Sequence, residues 1–197
     1  MNRIGIFGGS FDPVHDAHVA LARLALDTLA LDQLRWIPAG QPWQKARSMT
    51  PAAHREAMVH LAIEGEPRFV LDRREILRNG PSFTLDTVRE LQAEHPTALL
   101  FLVIGQDQYA GLHTWRDWRE LLQRVTLAVA GRPGITRPPD AEVAKAARQT
   151  VPLAMMDISS TDIRARVAAG QGIADLVPPA VARYIETNGL YRGGPGS

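Results

Sequence analysis

The 197-residue chain contains no cysteine. That absence excludes disulfides, thiolate metal centres and cysteine nucleophiles together. An excess of charge of one sign is also missing. The 22 Lys and Arg against 21 Asp and Glu leave +1, so no overall field draws the protein to nucleic acid or to a membrane surface. A site for a polyanion must therefore be local. No stretch approaches the roughly eighteen apolar residues of a membrane span. The opening MNRIGIFGGSF also lacks the long apolar run and small-residue cleavage site of a signal peptide. A soluble, cytoplasmic protein is the expectation. Lysine is scarce, with two against twenty arginines, which reads as base-composition bias.

What is present fits an ordinary globular protein. Hydrophobic residues make up 45% and charged residues 22%. Short apolar runs alternate with helical patterns, the signature of parallel βαβ units. Strands are expected at Arg3 to Phe7, Leu34 to Pro38, Arg68 to Leu71, Leu99 to Ile104 and Val125 to Ala130, with a weaker one at Leu153 to Met156. Helices are expected at Val14 to Leu31, at Pro51 to Glu64 with Thr50 as N-cap, and at Phe83 to His95. Two more close the chain, Ser160 to Ala169 and Pro179 to Asn188, stopped by Gly170 and Gly189. These patterns predict one α/β domain over residues 1–191, a doubly wound Rossmann-like parallel sheet with helices on both faces. A loose glycine-rich tail at 192–197 follows.

In such sheets ligands bind at the carboxyl ends of the strands. The first strand runs into Gly8-Gly9-Ser10-Phe11-Asp12-Pro13-Val14-His15-Asp16-Ala17-His18. The glycines let backbone amides approach an anion. Asp12 and Pro13 read as N-cap and first helical residue. His15 and His18, three apart, share a face near the positive N-terminus of that helix, where two imidazoles suit a triphosphate. Surface helices carry histidines freely; the preceding strand and glycines favour the functional reading. A second candidate anion site is Ile158-Ser159-Ser160-Thr161-Asp162-Ile163-Arg164. Ser159 with Asp162 reads as a helix cap, and hydroxyls, first-turn amides and Arg164 gather beside it. Gly80-Pro81-Ser82-Phe83-Thr84-Leu85-Asp86-Thr87 opens another helix. His54, His60, His95 and His113 show no metal-ligand spacing, so no protein metal site is expected.

The first segment resembles the G-G-[ST]-F-D-P-x-H-x-G-H signature of the nucleotidylyltransferase superfamily. With the others it is most similar to the bacterial nicotinate-nucleotide adenylyltransferases. The resemblance runs from residue 3 to about 191, closing on Leu176-Val177-Pro178 and Leu190-Tyr191. Ala17 stands where the family has glycine, and its methyl group is expected to narrow the nucleotide's approach. The resemblance implies an HxGH-type architecture that transfers AMP from ATP to nicotinate mononucleotide, giving deamido-NAD and pyrophosphate in NAD biosynthesis. It implies ATP contacts from Gly8, Gly9, Ser10, Phe11, Gly105, Asp107, Arg132, Ser159, Ser160 and Thr161, with His15, His18 and Arg164 acting on the phosphates. For the acceptor it implies Lys45, Ser82, Phe83, Thr84 and Trp115, with Trp118 in the core. The loop before Lys45 departs from the family at Trp43 and Gln44. Mg²⁺ is expected to arrive with ATP. The alternatives are the same transfer to nicotinamide mononucleotide or another superfamily acceptor, and a nucleotide-binding regulator without turnover.

Overall fold

The computed structural model describes residues 1–42, 49–131, 138–153 and 156–193. Its strands are β1 (Arg3–Gly9), β2 (Gln33–Pro38), β3 (Gln41–Pro42), β4 (Phe69–Leu71), β5 (Pro81–Ser82), β6 (Leu99–Ile104), β7 (Thr126–Ala130) and β8 (Arg148–Val151). Its helices are α1 (Asp16–Thr28), α2 (Ala52–Ile63), α3 (Arg74–Leu77), α4 (Thr84–Glu94), α5 (Gln106–Ala110), α6 (Trp118–Arg124), α7 (Ser160–Ala168) and α8 (Pro179–Thr187).

Six strands form one parallel sheet in the order β4-β2-β1-β6-β7-β8, and β3 pairs with β5 separately. Both faces of the large sheet are covered, as an all-parallel sheet requires. Alternation along the strands divides the core in two. Phe7, Phe101, Val103, Ala128 and Ala130 join α1, α2, α7 and α8 on one face. Ile4, Ile6, Leu100, Leu102, Ile104, Leu127 and Val129 join α4 and α6 on the other. The order reverses between β1 and β6, because β1 is followed by β2 on one side while the later strands extend from β6 on the other. Doubly wound sheets place their ligand crevice at this switch point.

The doubly wound expectation holds, and three local ones do not. The strand expected at Leu153 to Met156 falls partly outside the described residues, and neither Leu153 nor Met156 is in a strand; the edge strand is Arg148–Val151. As an edge strand it pairs only with β7 and buries only Val151, so its polar residues carried no apolar signal. Helix α1 starts two residues later than expected, with His15 rather than Asp12 as N-cap. The Asp12 carboxylate instead accepts from the Thr50 amide (3.3 Å) and the Tyr191 hydroxyl (2.6 Å). Thr50, whose amide is engaged there, yields the N-cap of α2 to Pro51.

Candidate active site

The carboxyl ends of β1 and β6 open into a cleft of about 580 Å³. Gly8, Gly9, Ser10 and Phe11 form its floor, with His15 and His18 on one wall and Ser159 and Ser160 beside them. A Cβ on Gly8 would meet nothing nearer than a carbonyl 3.9 Å away, which leaves the backbone there open to a ligand. Phe11 takes a left-handed φ of 48° and buries its ring against Phe7 and Trp36. A non-glycine residue in that conformation is uncommon, and here the aromatic contacts hold it. Ala17 is not among the residues lining the cleft.

The imidazoles of His15 and His18 stack at 3.6 Å. The backbone N–H of His15 donates to Nδ1 of His18 (3.2 Å). An accepting nitrogen carries no proton, so the His18 proton sits on Nε2, which can donate to a phosphate oxygen. His15 is 6% exposed, and burial pushes its pKa down to about 4. Its Nδ1 is buried without a partner, a polar atom for a ligand to satisfy.

Helix α7 is pinned against this loop although the two lie far apart in sequence. The Ser160 hydroxyl donates to the Pro13 carbonyl (2.9 Å), and Arg164 donates to the Asp12 carbonyl (2.6 Å). Two helix N-termini therefore converge on one end of the cleft, and each can attract an anion. The hydroxyls also bond within the protein. Ser159 Oγ accepts from the Asp162 amide (3.1 Å) and donates to its carboxylate (2.6 Å), confirming the cap. Thr161 Oγ1 accepts from Arg164 (3.1 Å) and is solvent-exposed. The neighbouring Arg166 turns away to pair with Asp175.

Behind the floor lies Arg55, a buried arginine that sequence reasoning passed over. It donates to the carbonyls of Ser10 (2.8 Å) and Thr50 (2.9 Å). The signal existed, since Arg55, Met58 and Val59 share the i, i+3, i+4 buried face of α2. Burial pushes the Asp12 carboxyl up, but hydrogen bonds from Thr50 and Tyr191 outweigh that and leave it below the usual range.

The other end of the cleft collects Gly105 and Asp107 at the mouth of β6, then Ser82, Thr84, Thr87, Glu75 and Trp115. Trp118 packs against the second core cluster. Phe83 lies under the Arg116 guanidinium (4.6 Å) and does not line the cleft. The Ser82 hydroxyl accepts from the Gly40 amide (3.2 Å). Glu75 had no signal in the sequence, where it is one acid in a run of arginines. Lys45 and Arg132 lie outside the described residues. Among the described residues no group of three or more His, Asp or Glu side chains could hold a metal ion, and no helix is long and apolar enough to cross a membrane.

A family model described as cytidylyltransferase-like matches residues 6–166. The chain is 54% identical over 201 residues to a Methylibium petroleiphilum protein named "Probable nicotinate-nucleotide adenylyltransferase", covering 98% of this chain and 95% of that one. A Neisseria meningitidis protein of the same name is 39% identical over 200 residues, covering 97% and 99%. In fold the chain is similar to Plasmodium falciparum nicotinic acid mononucleotide adenylyltransferase, solved in complex with NaAD. The TM-score is 0.77 at 20% identity, over 97% of this chain and 98% of that one.

Proposed function

The chain belongs to the cytidylyltransferase-like family and groups with the nicotinate-nucleotide adenylyltransferases, and on that premise we propose how it joins AMP from ATP to nicotinate mononucleotide. The products are deamido-NAD and pyrophosphate. The observation that carries the reading is the convergence of the α1 and α7 N-termini on a cleft walled by His15 and His18.

An oxygen of the acceptor's 5′-phosphate bonds to the α-phosphorus of ATP. The bond from that phosphorus to the bridging oxygen breaks, and pyrophosphate leaves with the electron pair. The attacking phosphate is already ionised at neutral pH, so no strong base is needed, and catalysis is positioning with charge stabilisation. His18 donates from Nε2 to the α-phosphate, and His15 supports it from the adjoining face. The backbone of Gly8 to Phe11 brings the substrates together. The first-turn amides of α7 with Arg164 hold the leaving pyrophosphate, while the hydroxyls of Ser159 and Thr161 keep that turn in shape. Asp107 accepts from the ribose. The resemblance assigns Lys45 to the acceptor phosphate and Arg132 to the adenine. Magnesium enters as part of the ATP substrate. One unit over residues 1–191 does this work, in the cytoplasm with its nucleotides.

The acceptor ring stacks on Trp115, and its carboxylate meets the amides of Phe83 and Thr84 at the start of α4. Those donors suit a carboxylate better than a carboxamide, whose NH₂ would face them. Pyrophosphate release with ATP, Mg²⁺ and either nicotinate or nicotinamide mononucleotide tests this. Preference for the acid by about 10², or about 2.7 kcal/mol, is expected. Equal rates would keep adenylyl transfer and remove the carboxylate argument. Binding of ATP without release would point to another acceptor or to a regulator.

A further inference from the structure

We infer that Glu75 is the positioning residue of the acceptor half of the cleft, holding the turn before α4 so that its amides meet the acceptor's carboxylate. The inference rests on the acceptor reading above. Glu75 lies in α3, lines the cleft and is only 8% exposed. Burying a carboxylate is unfavourable unless it is well hydrogen-bonded, so its partners show what holds it there. The Thr87 hydroxyl donates to Oε1 at 2.7 Å, and the Ser82 hydroxyl hydrogen-bonds the same carboxylate. Burial pushes the Glu75 pKa up, while these bonds and the nearby Arg78 pull it back without reversing the shift. Arg78 also donates to Thr87 Oγ1 (3.2 Å).

Ser82 and Thr87 bracket Phe83 and Thr84. One carboxylate therefore clamps both ends of the segment whose amides receive the acceptor. The same tie reaches the loop after β2, because Ser82 Oγ also accepts from the Gly40 amide. Gly40 lies so close to α3 that a Cβ there would stand 2.1 Å from the Glu75 carbonyl oxygen. Only glycine allows that approach, so loop, short strand and helix meet at Glu75. Its action on the reaction runs through the turn.

The test measures pyrophosphate release by the full chain while varying ATP and nicotinate mononucleotide separately. Wild-type turnover with this acceptor is expected. Its absence would remove the acceptor reading, and the inference with it, before any variant is made. Glu75→Ala is expected to raise KM for the acceptor by about tenfold or more, the worth of one hydrogen bond to a charged group. KM for ATP should stay within about twofold, because the phosphate half makes no use of this clamp. Glu75→Gln keeps an oxygen for Thr87 and should return the acceptor KM to within about threefold of wild type. Thr87→Val removes the donor while filling its space, and should reproduce the selective rise even if Glu75→Ala does not fold. An unchanged acceptor KM in Thr87→Val, equal rises in both KM values, or Glu75→Gln as damaging as Glu75→Ala would each overturn the inference.

Discussion

The phosphate end of the cleft and the acceptor end handle anions differently. At the phosphate end two helix N-termini converge, and the hydroxyls around them are tied to the protein. The two imidazoles there stack, and burial keeps the His15 ring uncharged. At the acceptor end, a negative side chain is buried beneath the site and orients the donors from behind. A triphosphate brings enough charge to be held by amides, Arg164 and the two imidazoles. A single carboxylate on a flat ring brings less, so the turn that receives it must be fixed beforehand.

The largest break in that contrast is expected from His18→Ala, which should lower kcat by about 10² to 10³, as for the loss of one transition-state donor. Rapid-quench measurement of pyrophosphate release checks it; a variant with full kcat would remove His18 from the chemistry.

A second effect concerns the neutral state of His15. Its pKa is about 4 in the folded protein, against about 6.5 when unfolded. Between those values the unfolded chain binds a proton that the folded one refuses. Stability should therefore be level above pH 6.5 and fall by up to about 3 kcal/mol as pH drops to 4. Urea denaturation across that range should show the slope, and His15→Asn should flatten it. An equally steep variant would assign the slope to other groups.

The smallest effect separates scaffold from ligand contact at α7. Ser159→Ala should reduce stability by about 1 kcal/mol through loss of the cap, with kcat at saturating ATP within about threefold of wild type. A much larger loss of rate would put the Ser159 hydroxyl on ATP.

Much of this end of the molecule is legible in the chain because its parts are contiguous. Gly8 to His18 follow one strand into one helix, and Ser159 to Arg164 open another. The buried strands β1, β6 and β7 announce themselves because both their faces are apolar. The exposed edge strand β8 does not, and neither does α3, whose four residues, two charged and two apolar, show no clear period.

The sequence by itself determined the buried strands and the longer helices, where glycines let the backbone approach a ligand, and that two helix starts could bind phosphate. Local geometry and apolar period suffice for those. Tertiary structure alone decided that Ser160 and Arg164 would close on Pro13 and Asp12, that the Ser82 hydroxyl would meet the Gly40 amide, and that Glu75 would lie beneath Thr87. Hydrogen-bond partners distant in sequence are chosen by burial and by the switch in strand order, and neither is written in any one segment.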